Sequence, residues 1–140
     1  MSFELAGLLV LYFLLGFALF AMINSMCGAM VSKMEDLQSA MMPAALVSVF
    51  SFYGGYGSTF GGGGLMGRMT MLIPFTAPYA APGVLLSGEY DMRLIAASVG
   101  ILLAAIALVS WISGKVYSAS VLHYGSRLKF GEVRRMIRGK

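Results

Sequence analysis

The sequence predicts an all-α integral membrane protein with three transmembrane helices. Hydrophobic residues make up 59% of the 140-residue chain and charged residues 11%, against about a quarter in an average soluble domain. So short a chain cannot bury this much apolar surface in a soluble core. A span of roughly 20 apolar residues crosses a bilayer. The stretches without charge are residues 5–32, 37–67, 69–88 and 94–114.

The first span is predicted from about residue 5 to residue 32, roughly 40 Å of helix. No basic leader precedes this apolar run, which is too long for the core of a cleaved signal. Its last turns contain the small or weakly polar Asn24, Ser25 and Gly28. Because small residues let helices approach closely in lipid, we expect this end to pack against protein, with Asn24 joining helices.

The second span is predicted over residues 36–52, after a short polar break. Glu35 and Asp36 lie where the helix begins, and negative charge is favourable at a helix N-terminus. Pro43 falls in the second turn, where a kink is tolerated. The break and the start of this helix therefore form a charged turn between two apolar spans.

Residues 53–90 are predicted as an outer glycine-rich loop followed by a proline-broken re-entrant or interfacial hairpin. The part from residue 69 to residue 88 is uncharged, so hydropathy alone would make it a span. Pro74, Pro78 and Pro82 oppose a continuous helix, because each removes a backbone donor and clashes with the preceding turn. Broken backbone at membrane depth persists only where protein or water satisfies it.

The third span is predicted over residues 91–117. Ala96, Gly100 and Ala104 form a row of small residues at four-residue spacing, which is typical of a helix-packing face. The span ends in an interfacial pattern that includes Trp111. The tail, about residues 118–140, is predicted to contain a short basic amphipathic helix at about residues 129–138.

The basic residues predict the orientation. Positive charge marks the cytoplasmic side of a membrane protein, so we expect the tail in the cytoplasm, the N-terminus outside and the protein in the plasma membrane. Beside a span, such a tail is expected to contact anionic lipid rather than nucleic acid. Charge counting does not separate three spans from four, and the prolines favour three. The C-terminal basic residues are Lys115, Arg127, Lys129, Arg134, Arg135, Arg138 and Lys140.

The glycine-rich stretch does not fit a phosphate-binding loop. That loop requires Gly-x-x-x-x-Gly-Lys-Ser/Thr between a strand and a helix. Residues 62–70 read GGGLMGRMT, so Arg68 replaces the lysine and Met69 precedes the threonine. No strand is predicted before it. We therefore interpret the glycines as a structural feature of a loop.

Other catalytic and metal sites are also disfavoured. Ser58 and the single histidine, His123, are predicted about a membrane thickness apart, whereas catalytic hydrogen bonds span about 3 Å. One cysteine and one histidine give no metal-ligand spacing, and methionines at four-residue spacing from Met22 favour packing. No charged residue lies at mid-depth, where an ion relay usually needs one. The sequence therefore predicts no enzyme, cofactor or metal site in this chain.

Three stretches resemble one known family when taken together. The first is residues 18–43, ALFAMINSMCGAMVSKMEDLQSAMMP, and the second is residues 71–89, MLIPFTAPYAAPGVLLSGE. The third is residues 115–138, KVYSASVLHYGSRLKFGEVRRMIR. In this order they resemble the C-terminal half of type-2 ABC exporter permeases, particularly the sodium-efflux (NatB-like) branch. The glycine run at residues 61–64 is outside the resemblance.

The resemblance implies a transport function. Members have six spans and work with a separate ATPase subunit that binds ATP and Mg²⁺, so the expected partners are an ABC ATPase and either a second permease half or further copies of this chain. It implies an ATPase-coupling turn, although favourable acids at a helix N-terminus explain the same residues equally well. It also implies an outer gate, for which the alternative is a plug that does not move. The alternative function is a small membrane interaction or assembly protein. The turn comprises Lys33, Glu35, Asp36 and Gln38, and the gate comprises Pro74, Phe75, Pro78 and Pro82.

Overall fold

The computed structural model describes residues 3–60, 64–88, 90–122, 134, 135 and 137–139. The all-α prediction is confirmed for these residues, which contain no strand. Three of the helices are long and apolar enough to cross a membrane. Up to residue 122 the helices are α1 (Phe3–Ala29), α2 (Met34–Phe60), α3 (Gly64–Leu72), α4 (Ala77–Ser87) and α5 (Met92–Leu122).

The second helix extends eight residues beyond the predicted end at residue 52. The glycines at positions 54, 55 and 57, predicted to lie in a loop, are helical and belong to α2. A glycine costs roughly 1 kcal/mol relative to alanine inside a helix. In an apolar environment, however, continuing the helix keeps every backbone hydrogen bond within the segment. The predicted loop is therefore replaced by helix on both sides of residues 61–63, which lie outside the described part.

The first and last long helices, α1 and α5, run parallel and pack along their length. Near the start of both helices, the Tyr12 hydroxyl lies beside the Ser98 side chain. At the other end, the Ser120 hydroxyl donates to the Ala29 carbonyl at 2.5 Å. Contacts at both ends fix the register of the two helices.

The two short helices form a hairpin that lies among the long ones. α3 contacts α2 and α5, while α4 contacts α1 and α2. Five residues of α4 are at most 6% exposed, so this short helix contributes half of the central apolar cluster. They are Ala77, Ala80, Ala81, Val84 and Leu85.

Most of the predicted C-terminal helix, about residues 129–138, lies outside the described residues, as does His123. Within the described part, Arg134, Arg135 and Arg138 are helical and exposed. The Gly139 amide donates to the Arg135 carbonyl at 2.8 Å. The start of the predicted tail, residues 118–122, belongs to α5.

Candidate functional site: the α3–α4 hairpin

The hairpin turns at residues 73–76, and its prolines fit the positions that they occupy. Pro74 lies in the turn, where the amides of Thr76 and Ala77 both donate to the Ile73 carbonyl, at 3.1 and 2.9 Å. Pro78 lies in the first turn of α4, where a backbone amide would have no acceptor within the helix, so its absence costs no hydrogen bond. The predicted break therefore occurs at Pro74, while Pro82 is inside α4.

Two hydroxyl groups bind carbonyls that the end of α3 leaves without helical partners. The Thr76 hydroxyl donates to the Thr70 carbonyl at 2.6 Å. From α5, the buried Ser98 hydroxyl donates to the Met71 carbonyl at 2.6 Å. The last carbonyls of a helix need such partners, and within a bilayer water is not there to supply them. The end of α3 is thus capped by its own turn and by a neighbouring long helix.

Further hydroxyl groups lie near the capped end of α3. Toward α2, the Ser58 and Thr70 hydroxyl oxygens are 2.9 Å apart. Tyr12 of α1, beside Ser98, is 1% exposed, and its hydroxyl has no hydrogen-bond partner in the described part of the chain. Ser58, considered above as a nucleophile, is therefore bonded to a hydroxyl and also donates to the Gly55 carbonyl at 2.7 Å.

Glycines form the contacts through which the hairpin approaches the long helices. A Cβ placed on Gly55 of α2 would lie 2.6 Å from the Thr76 carbonyl oxygen and 3.0 Å from the Ala80 amide nitrogen. A Cβ on Gly16 of α1 would lie 2.5 Å from the Pro78 Cβ. In lipid, such absences of side chains are what allow helices to pack closely. Sequence reasoning missed this role for Gly55, because it assigned the glycines to a loop.

The contacts also place the hairpin at depth along the long helices. Gly16, which meets Pro78, is 13 residues into α1, about 20 Å along its axis. Ser98, which meets Met71, is six residues into α5, about 9 Å along its axis. The turn of the hairpin is therefore inserted between the long helices and does not rest on their ends.

A groove of about 330 Å³ runs beside α4 and is lined mainly by aromatic residues and prolines. The Tyr79 ring, between α1 and α2, has its centroid 5.7 Å from the centroids of both Phe20 and Phe52. Two of the predicted gate residues, Pro78 and Pro82, line this groove, whereas Phe75 packs against the central cluster. The groove residues from α1 include Phe13, Phe17 and Phe20, and those from α4 are Pro78, Tyr79 and Pro82.

The predicted coupling residues lie at the other end of α2. Lys33, Glu35 and Gln38 are exposed, and Asp36 is half-buried in the first turn. Gly55, which contacts the hairpin, is 20 residues from Glu35, about 30 Å along the helix. The structure therefore does not bring the predicted coupling turn and the predicted gate together.

Most of the residues predicted to pack helices are not covered by the described part of the chain. The Asn24 side-chain amide donates to the Phe20 carbonyl of its own helix at 2.9 Å, so among the described residues this hydrogen bond does not join two helices. Ser25 is exposed, and a Cβ on Gly28 would meet nothing within 4 Å. On α5, the bulkier Ile95 and Leu102 are buried in the central cluster, on the same helix face as the buried Ser98. The row of Ala96, Gly100 and Ala104 is on an exposed face.

Metal ligands do not cluster in the described residues, since no three His, Cys, Asp or Glu side chains come together there. Cys27 is buried and is not in a disulfide. The groups described around the hairpin are hydroxyls, carbonyls and aromatic rings, together with the exposed Arg68 of α3.

Comparison with known proteins gives one relative. The uncharacterized protein YhaP of Bacillus subtilis (strain 168) is 30% identical over 132 residues. The match covers 92% of this chain and 31% of YhaP, so the chain spans about a third of the length of that relative. No family model matches the chain, and no solved structure matches it.

Proposed function

We propose that this chain is a membrane-spanning permease subunit, or the C-terminal half of one, in an ATP-driven ABC exporter. A separate ATPase subunit would bind ATP and Mg²⁺ and supply the energy. The proposal rests on the three-part resemblance described above, together with three helices long and apolar enough to cross a membrane. The substrate would leave the cytoplasm along a path completed by a second membrane part.

The structural observation that supports the proposal is the capped hairpin inserted between the long helices. A short helix that ends at depth has to have its carbonyls satisfied by protein, and Thr76 and Ser98 supply these hydrogen bonds. Interrupted helices of this kind are used in transporters to form sites and gates near the middle of the membrane. We assign the hairpin, including Pro74 and Phe75, to an outer re-entrant gate.

The exposed turn at the start of α2 would contact the ATPase. Lys33, Glu35 and Gln38 project from the end of the bundle opposite to the hairpin. With the N-terminus outside, this turn faces the cytoplasm of a plasma-membrane protein, where the ATPase resides. Carboxylates there would pair with basic residues of that subunit.

The greater length of YhaP is compatible with a larger membrane assembly. About two thirds of that relative lies outside the match. We expect the present chain to associate with a second permease half or with copies of itself. The exposed row on α5, Ala96, Gly100 and Ala104, offers a close-approach surface for such a partner. The same surface supports the second candidate function, a membrane assembly protein that acts only by helix association.

The first test is the DNA on both sides of the reading frame. The transport proposal expects an encoded ATPase with a complete phosphate-binding loop and further membrane spans. The complex is then reconstituted in liposomes, and ATP hydrolysis is compared with that of the ATPase alone. If no ATPase is encoded nearby and none is stimulated, the assembly function takes precedence.

The coupling turn is tested in the same complex. We expect Glu35→Gln combined with Asp36→Asn to remove most of the stimulation of ATP hydrolysis, because the ion pairs to the ATPase are lost. The complex should still assemble. Glu4→Gln is the control, since Glu4 is an exposed acid at the opposite end of α1. Unchanged stimulation in the double variant would exclude the turn from coupling.

A further inference from the structure

The far end of α5 carries a compact group of polar side chains around the single tryptophan of the chain. A shallow depression there is lined by Ser110, Trp111, Gly114, Lys115 and Ser118. The Lys115 Nζ lies 4.2 Å from the centroid of the Trp111 ring. A cation over an indole face is attracted by the ring quadrupole. This contact holds the ammonium group beside the helix.

The depression remains open on its outer side. A Cβ on Gly114 would meet nothing within 4 Å, so the helix surface between Trp111 and Ser118 is unobstructed. The Ser118 hydroxyl donates to the Gly114 carbonyl at 2.9 Å, which directs its proton inward and leaves its oxygen as an acceptor. A ligand would therefore meet an ammonium group, the edge of an indole ring and hydroxyl groups.

The position along α5 places this group at a membrane boundary. Trp111 is 19 residues beyond Met92, about 29 Å along the helix. The hydrocarbon core is about 30 Å thick. With the start of α5 at one boundary, Trp111 lies at the other and Lys115 about 6 Å further out, at headgroup level. Leu108, on the hydrocarbon side, is 57% exposed and continues the surface inward.

We infer that this depression binds the headgroup of an anionic phospholipid, with Lys115 contacting the phosphate. The positive charge complements the anionic headgroup, the Trp111 ring lies in the interfacial layer, and Leu108 offers a surface to an acyl chain. These three features together fit a lipid rather than soluble phosphate, which has no apolar part. The site is separate from the hairpin and does not depend on the transport proposal.

The tryptophan itself reports on the lipid next to it. The purified full-length chain is reconstituted in vesicles of phosphatidylglycerol and phosphatidylcholine, with bromine on the acyl chains of one lipid at a time. Bromine quenches Trp111 only from nearby lipid. From the quenching we obtain the ratio of phosphatidylglycerol to phosphatidylcholine beside Trp111, relative to the ratio in the whole vesicle. We expect this enrichment to be about fivefold, which corresponds to the roughly 1 kcal/mol that one lysine gains near an anionic surface.

Variants distinguish lipid binding at the depression from a general attraction of anionic lipid to the basic residues of the protein. Lys115→Gln should lower the enrichment of phosphatidylglycerol beside Trp111 to about one, that is, no preference. Lys115→Arg keeps the positive charge and should retain the enrichment. Lys33→Gln is the matched control, because it removes the same charge from an exposed position outside the depression. Circular dichroism verifies that each variant is folded. An equal preference in wild type and Lys115→Gln, or an equal loss in Lys33→Gln, overturns the inference.

A competition arm distinguishes lipid from free phosphate. Millimolar inorganic phosphate or glycerol phosphate is added to the same vesicles at constant ionic strength. Quenching by brominated phosphatidylglycerol should be unchanged if the lipid is held by its headgroup and its acyl chain together. Displacement of the lipid by soluble phosphate would assign the depression to a soluble anion and overturn the lipid site.

Discussion

Alanine substitutions at two neighbouring glycines test whether the hairpin contact depends on the absence of a side chain. Gly55 and Gly57 are both in α2, two residues apart. A Cβ on Gly55 would lie 2.6 Å from the Thr76 carbonyl oxygen, whereas a Cβ on Gly57 would meet nothing within 4 Å. Only the Gly55 substitution therefore obliges α4 to move.

The magnitude follows from the difference between the two variants. Both gain helix propensity, about 1 kcal/mol for glycine to alanine, and this gain cancels in the comparison. Overpacking of a tight contact costs about 1–3 kcal/mol. Because the atoms that Gly55 meets belong to the α4 backbone and its first side chains, a change of rotamer cannot remove the clash. We expect Gly55→Ala to be less stable than Gly57→Ala by about 1–3 kcal/mol.

The assay is reversible unfolding in mixed micelles, with increasing sodium dodecyl sulfate and helix content measured by far-ultraviolet circular dichroism. Gly57→Ala should unfold at or above the midpoint of the wild type, and Gly55→Ala below it. A difference in unfolding free energy under about 0.5 kcal/mol, the usual range of a neutral surface substitution, would refute the close contact of α2 with α4.

Two other predictions concern the hairpin cap and the exposed row. Ser98→Ala leaves the Met71 carbonyl without its side-chain partner and should lower the free energy of unfolding by about 1 kcal/mol or more. The control is Ser51→Ala, which removes a similarly buried hydroxyl that is bonded within its own helix. It should cost less in the same unfolding assay. Gly100→Leu should prevent association through the α5 row, measured by light scattering in detergent, while Gly7→Leu, on the exposed part of α1, should not. If the mass of the protein particles in detergent is the same for Gly100→Leu and the wild type, the α5 row is not the surface through which the chain associates.

The three long helices could be predicted from composition, because long apolar segments without charge have few alternatives in a chain this short. The end of α2 could not. Gly54, Gly55 and Gly57 are typical of a loop in water, where glycine weakens a helix. The role of Gly55 becomes visible only beside α4, since a close contact depends on residues from two distant parts of the sequence.

The hairpin was predictable as an interruption but not as a structure. Three prolines indicated where a continuous helix would fail, yet Pro78 and Pro82 are within α4 and only Pro74 is in the turn. The capping role of Ser98 had no sequence signal, because its partner is 27 residues away. The packing surface predicted for the row containing Gly100 stays a prediction, because the row is exposed and none of the other described helices covers it.

The surroundings of the hairpin decide what would hold such a gate closed. Between helices in lipid there is no hydrophobic driving force, so moving apolar α4 from its neighbours into lipid is opposed mainly by packing and hydrogen bonds. Opening toward water would instead expose Ala80, Ala81 and Leu85, at about 25 cal/mol per Å² of apolar surface. If the hairpin acts as the proposed gate, sideways opening into lipid is therefore restrained by its close packing and by its polar contacts, the Ser98 and Ser58 hydroxyls. Loss of the Ser98 hydroxyl should lower the free energy of opening by about 1 kcal/mol in both directions, because it weakens the closed state that both movements leave. That amount is a larger share of the sideways cost, to which no exposure of apolar surface to water is added.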